Sequence, residues 1–133
     1  MKEMTIAARL ENIEPVTAFV DAFLEEIDCP LKTQTKIDIV IDEIFSNIAR
    51  YAYPEGEGTV TIGIENKDEA VVIVFEDSGI PYDPLSASAP DLSLSADDRP
   101  IGGLGIHMVK KMMDVLSYRY ENGKNILTLQ KKL

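Results

Sequence analysis

Ala70-Val71-Val72-Ile73-Val74-Phe75-Glu76-Asp77-Ser78-Gly79-Ile80-Pro81 is a continuous apolar run that ends in a carboxylate and a glycine turn. Six apolar residues in succession, 70–75, read as a central strand. Just upstream, Thr59-Val60-Thr61-Ile62-Gly63-Ile64-Glu65 alternates polar with apolar, as a half-buried strand does. Asn66-Lys67-Asp68 between the two predicts a turn, so the pair forms a hairpin.

Downstream the pattern changes. Residues 78–100 carry Pro81, Pro84, Pro90 and Pro100 among serines, alanines and acids, with little periodicity. A loop of this length inside a compact domain is a functional lid or a disordered segment. Ile101-Gly102-Gly103-Leu104-Gly105-Ile106-His107-Met108-Val109 follows, with three glycines in four residues before a helical pattern that extends to about Asp114. Residues 115–120 and 125–131 form a closing hairpin around Glu121-Asn122-Gly123-Lys124.

Upstream, residues 4–10 read as a short strand. Val16, Phe19, Val20, Phe23, Leu24 and Ile27 then have helical spacing, and Asp28-Cys29-Pro30 breaks that helix. A second helix runs from about Lys32 to Ala52 and ends at Pro54-Glu55-Gly56. The order β-α-α-β-β-loop-α-β-β implies an α+β, two-layer sandwich: a mixed, mostly antiparallel sheet with helices on one face. No repeat or linker divides the chain, so residues 1–133 are expected to form one domain.

The net charge of −10 disfavours nucleic acid and anionic membrane surfaces and suits a basic protein partner. Cys29 is the only cysteine, so no internal disulfide can form. No signal-peptide pattern opens the chain and no apolar run approaches a membrane span. A cytoplasmic location is the expectation.

Three constellations carry chemistry. Glu43 and Asn47 lie four apart on the second helix, flanking the Ile37, Ile41, Ile44, Ile48 stripe. They line a pocket wall or a solvated helix edge. Asp77-Ser78-Gly79 puts a carboxylate at a strand end, either for a ligand hydrogen bond or as plain turn chemistry. Gly102, Gly103, Leu104 and Gly105 offer backbone N–H groups at a helix start, an anion site or a packing turn.

Order and spacing link the three. Asp77 follows Asn47 by 30 residues, and Gly103 follows Asp77 by 26. The chain thereby resembles the GHKL superfamily of ATP-binding domains, shared by DNA gyrase, MutL and histidine kinases. Asp42-Glu43-Ile44-Phe45-Ser46-Asn47 looks like its N box, Asp77-Ser78-Gly79 like its first glycine box and Gly103-Leu104-Gly105 like its second. Within it, Asp77-Ser78-Gly79-Ile80-Pro81-Tyr82-Asp83-Pro84 and the chain length are most similar to the stand-alone anti-sigma-factor serine/threonine kinases.

The resemblance implies the Bergerat ATP-binding fold, ATP or ADP with Mg²⁺, and a lid over about 78–104. Asp77 would accept from the adenine amino group, Gly79 would let the purine approach, and Asn47 would offer its amide oxygen to Mg²⁺. Gly102, Gly103, Leu104 and Gly105 would meet the phosphates, with Arg99 as a candidate γ-phosphate contact. Glu43 would act as general base. The partner would be a sigma factor or an antagonist protein, and relatives often dimerise.

Two departures stand out. Arg50 and Tyr51 occupy places where many relatives carry His or Lys. Gly123 is followed by Lys124 and Asn125 where relatives often have Gly-Thr near the adenine-binding Asp, which leaves that contact open. His107, Lys110 and Lys111 read as helix surface. The leading function is a serine kinase. The alternatives are a non-catalytic, nucleotide-gated binding module and an α+β interaction domain without nucleotide.

Overall fold

The computed structural model describes residues 1–86 and 103–133. Along them run β1 (Lys2–Ala7), α1 (Ile13–Glu26), α2 (Leu31–Tyr51), β2 (Thr59–Lys67), β3 (Ala70–Asp77), α3 (Gly103–Met112), β4 (Val115–Glu121) and β5 (Lys124–Lys132). Short 3-10 turns lie at Leu10–Asn12 and Pro84–Ser86.

Alternation along a strand sends every second side chain to one face. Val60, Ile62 and Ile64, Val71, Ile73 and Phe75, and Leu127 and Leu129 are buried together on that face. Helical spacing supplies the opposing layer: Val16, Val20 and Leu24 from α1, Ile37, Val40, Ile41, Ile44 and Phe45 from α2, and Ile106 and Val109 from α3. These residues form one apolar cluster, which yields the expected two-layer α+β sandwich.

The strand order is β1-β2-β3-β5-β4, and every pairing among the described residues is antiparallel. The expectation allowed some parallel pairing, and the connection through α3 explains the difference. It carries the chain from β3 past one strand position, and β5 then returns between β3 and β4. β3 and β4 run in the same direction but never pair.

Local backbone sets the element ends. Asp28 takes a left-handed conformation, φ 57°, and the Cys29 N–H bonds back to the Leu24 carbonyl at 2.9 Å, which closes α1. Both two-residue hairpin turns have positive φ at each central residue: Asp68 and Glu69 between β2 and β3, Asn122 and Gly123 between β4 and β5. β1 stops at Ala7 rather than Leu10, because Asn12 Nδ2 captures the Ala7 carbonyl at 2.9 Å and the chain turns there.

Candidate functional site

The alternation that buries Val71, Ile73 and Phe75 carries on to Asp77, so this carboxylate ends β3 on the core face and is only 7% exposed. Burying a carboxylate is costly unless it is hydrogen-bonded. Its Oδ1 accepts from the Gly79 N–H at 2.9 Å and from Asn125 Nδ2 at 3.0 Å. Both bonds fall on Oδ1, and Oδ2 takes none among the described residues.

Asp77 lines a cleft of about 410 Å³ between the sheet and the C-terminal half of α2. Ile44 and Ile48 of α2 and Phe75 and Leu127 of the sheet make it largely apolar. Asn47, Asp77 and Asn125 also line it. Such a cleft suits a flat apolar ligand with a few directed polar groups.

Asn47 faces this space, the pocket-wall alternative of its flank position on α2. Its Oδ1 is buried and has no hydrogen-bond partner among the described residues. An unpaired buried carbonyl-type oxygen is unfavourable in the empty protein and suits a cation or a ligand donor. Among the described residues no group of three or more His, Cys, Asp or Glu is placed to cage a metal. A divalent ion there would share Asn47 with oxygens brought by a ligand.

Glu43 lies one turn before Asn47 but is not part of the cleft lining. Its carboxylate rests against Gly105 of α3, where any Cβ would overlap it. Burial, with the charge of Asp42 adding to it and Arg50 opposing, pushes the Glu43 carboxyl above its ordinary value. The structure therefore joins Glu43 and Gly105 in one contact. Gly103 and Leu104 lie in the first turn of α3, while Arg99 and Gly102, with the middle of the expected lid, fall outside the described residues.

Gly79 has a packing role in this structure. A side chain there would collide with the Ala52 carbonyl, which also accepts from the Ile80 N–H at 2.9 Å. Arg50 is exposed in the last turn of α2, His107 is half-buried, and Lys110 Nζ donates to the Leu85 carbonyl at 2.9 Å.

Two residues at the base of the site, Tyr53 and Tyr118, have no counterpart in the sequence reading, and Asn125 fills the place after Gly123 whose contact the sequence left open. Tyr53 Oη donates to the Thr59 carbonyl at 2.6 Å and accepts from the Ser78 N–H at 2.9 Å, pinning the β3 exit to the start of β2. Tyr118 Oη donates to Asn125 Oδ1 at 2.5 Å. Asn125 sits directly opposite Asp77 in the β3–β5 register, a relation visible only once the strands are paired.

A more open groove of about 620 Å³ lies between α1 and α2. Asp21 and Asp38 line it, each with a buried Oδ1 that no N–H or hydroxyl donor reaches among the described residues, and the two carboxyls are close enough to share a hydrogen bond when one is protonated. Burial, with the neighbouring Asp21 carboxyl adding to it, pushes Asp38 up to about 7.

A family model described as histidine kinase-like ATPase domain matches residues 6–131. The serine/threonine-protein kinase BtrW of Bordetella bronchiseptica is 32% identical over 94 residues, which cover 70% of this chain and 66% of that protein. The chain thus spans about two thirds of that relative's length. The serine-protein kinase RsbW of Bacillus cereus is 23% identical over 129 residues, covering 94% of this chain and 81% of its own. Among solved structures, a chain of the SiaB–SiaC complex from Pseudomonas aeruginosa has a TM-score of 0.57 at 17% identity, covering 96% of this chain and 88% of that one. The histidine kinase domain of an Erythrobacter litoralis blue-light activated histidine kinase has a TM-score of 0.57 at 13% identity, covering 93% and 60%. At these identities the two structures establish a shared fold.

Proposed function

This chain belongs to the histidine kinase-like ATPase domain family, and from that premise we propose that it is an ATP-dependent serine/threonine protein kinase of the anti-sigma-factor type. Residues 1–133 act as one nucleotide-binding unit in the cytoplasm. The partner is a sigma factor or its antagonist, and a serine of the partner receives the phosphate. Kinase names among the relatives support the activity. The observation that carries the reading is the polarity of the cleft: a buried, oriented Asp77 and an unpaired Asn47 oxygen at separate points of an otherwise apolar space.

In this reading Asp77 Oδ2 accepts from the adenine amino group, and Ile44, Ile48 and Phe75 cover the base. The N–H groups of Gly103, Leu104 and Gly105 meet the phosphates at the start of α3. Asn47 Oδ1 would hold Mg²⁺, which when bound would neutralise phosphate charge. Glu43 takes the proton of the acceptor serine hydroxyl as its oxygen attacks the γ-phosphorus. The bond to the β–γ bridging oxygen breaks and ADP leaves. The raised proton affinity of Glu43 makes it a stronger base than an exposed glutamate.

A second reading, a non-catalytic module gated by ATP or ADP, has one observation in its favour: Glu43 lies against Gly105 and outside the cleft lining. Incubation with γ-labelled ATP, Mg²⁺ and a sigma-factor antagonist separates the two. Label on a partner serine supports the kinase. Bound ATP without transfer to any co-encoded partner supports the gated module.

A further inference from the structure

Gly79 and Gly105 both lack room for a side chain, but what fills that room differs. At Gly79 the nearest atoms belong to Ala52, its carbonyl group and its Cβ, just past the end of α2. At Gly105 they are the Cδ and both oxygens of Glu43, the far end of a flexible side chain. Gly105 is the third residue of α3 and takes ordinary helical backbone without a positive φ, so no turn geometry asks for glycine there. Alanine would present the same N–H to a bound anion and is the better helix former. What the missing side chain does is leave space for one carboxylate.

Both main chains at this contact are fixed. Ile44 and Phe45, next to Glu43 on α2, and Ile106 and Val109 of α3 are buried in the apolar cluster. A close-packed interior does not shift freely to admit a methyl group. A side chain at 105 would therefore turn the Glu43 side chain away and leave the helices in place. Among the described residues no hydrogen bond holds that carboxylate, so its packing on Gly105 sets where it rests.

We propose that Gly105 is the positioning residue of the general base: its missing side chain seats the Glu43 carboxylate at the first turn of α3, so that the proton acceptor stands beside the N–H groups that meet the phosphates. The proposal rests on the kinase reading of the site. It gives Gly105 a part separate from its own N–H, which alanine would keep. It also accounts for Glu43 lying outside the cleft lining. The apolar cleft takes the purine, and the proton is moved at the phosphate end.

The test is a double-mutant cycle on the whole chain: Gly105→Ala and Glu43→Asp, singly and together. Label transfer from γ-labelled ATP with Mg²⁺ to a co-encoded antagonist protein is read beside calorimetric ATP affinity. Aspartate is one methylene shorter and draws the carboxylate back from position 105. Gly105→Ala is expected to lower kcat for transfer about 100-fold, as a displaced catalytic group does. Its ATP affinity should stay within about threefold of wild type, and its melting temperature should be no lower. In the Glu43→Asp background, Gly105→Ala should change kcat less than about threefold, because no overlap is left. Such non-additivity marks two positions in contact. Equal loss in both backgrounds, or a fall in ATP affinity as large as the fall in kcat, would assign Gly105 to the phosphates or the fold and overturns the proposal. So does wild-type transfer by Gly105→Ala. An unfolded Gly105→Ala also overturns it, since the main chain rather than Glu43 would then take up the overlap. Wild-type protein that binds ATP and labels no partner overturns the kinase reading instead, and the proposal with it.

Discussion

The two sides of the cleft are built in opposite ways. Where β3 meets β5, each polar group of Asn125 has a partner and Asp77 is held by two donors. On the α2 side, Asn47 Oδ1 is buried without one, and the neighbouring Glu43 carboxylate is only half-buried against Gly105. The first side is pre-organised by its own hydrogen bonds. The second is completed by whatever binds. Preorganisation lowers the ordering cost of recognition at the base side, and an unpaired oxygen adds affinity on the other only when its ligand arrives.

The largest effect that would sharpen this contrast is on chemistry. Glu43→Gln is expected to reduce phosphotransfer about 10²- to 10⁴-fold with ATP affinity nearly unchanged, measured by labelled transfer beside calorimetry. Glu43 must be deprotonated to act, and its proton is held more tightly than usual, so transfer falls on acidification with a midpoint above 4.5. Unchanged transfer in Glu43→Gln would remove the assigned base.

Next is the stability of the empty protein, where the two asparagines should part company. Asn125→Ala strips partners from Tyr118 and Tyr82 and is expected to cost about 2–3 kcal/mol in urea unfolding. Asn47→Ala removes an oxygen that has no partner among the described residues, and its unfolding free energy should stay within about 1 kcal/mol of wild type. Equal losses would break the comparison. With nucleotide present the order changes: Asn47→Ala should lose most of the gain in ATP affinity that Mg²⁺ confers.

The smallest effect concerns a carboxyl pair outside the cleft. Asp38 shares a groove with Asp21, and its folded pKa of about 7 exceeds its ordinary 3.8. A carboxyl that binds its proton more tightly when folded contributes its full stability below about pH 4 and loses it as pH rises through about 7. Asp38→Asn should therefore flatten the decline between about pH 4 and 7 and raise the melting temperature by a few °C at about pH 8. A variant whose pH profile matches wild type would show that the pair is solvated.

Much of the site was legible from residues because it follows local periodicity. The apolar run from Ala70 to Phe75 announced the central strand with Asp77 at its end, and the strand's alternation in the structure turns Asp77 to the core face. Four-residue spacing left Asn47 between a pocket wall and a solvated helix edge, and packing of α2 on the sheet decides for the wall. The Asn125 contact was left open, because it depends on a pairing between β3 and β5 across 48 residues. The resemblance pointed to the place after Gly123, but nothing in Gly123-Lys124-Asn125 itself shows which side chain reaches Asp77. The all-antiparallel sheet was hidden for the same reason, since the return of β5 between β3 and β4 is a tertiary choice. At β1, apolar Ala8 and Leu10 prolonged the strand pattern past the Asn12 bond that ends it.

The central claim is that this cleft holds ATP through Asp77. Calorimetric titration of the chain with Mg²⁺ and ATP, set beside the same titration of folded Asp77→Asn, tests it directly. The account predicts saturable binding of one ATP per chain, weakened about 100-fold in the variant, whose amide can present a donor where the adenine amine needs an acceptor. No ATP binding by the wild-type chain, or equal affinity in the two proteins, would contradict it.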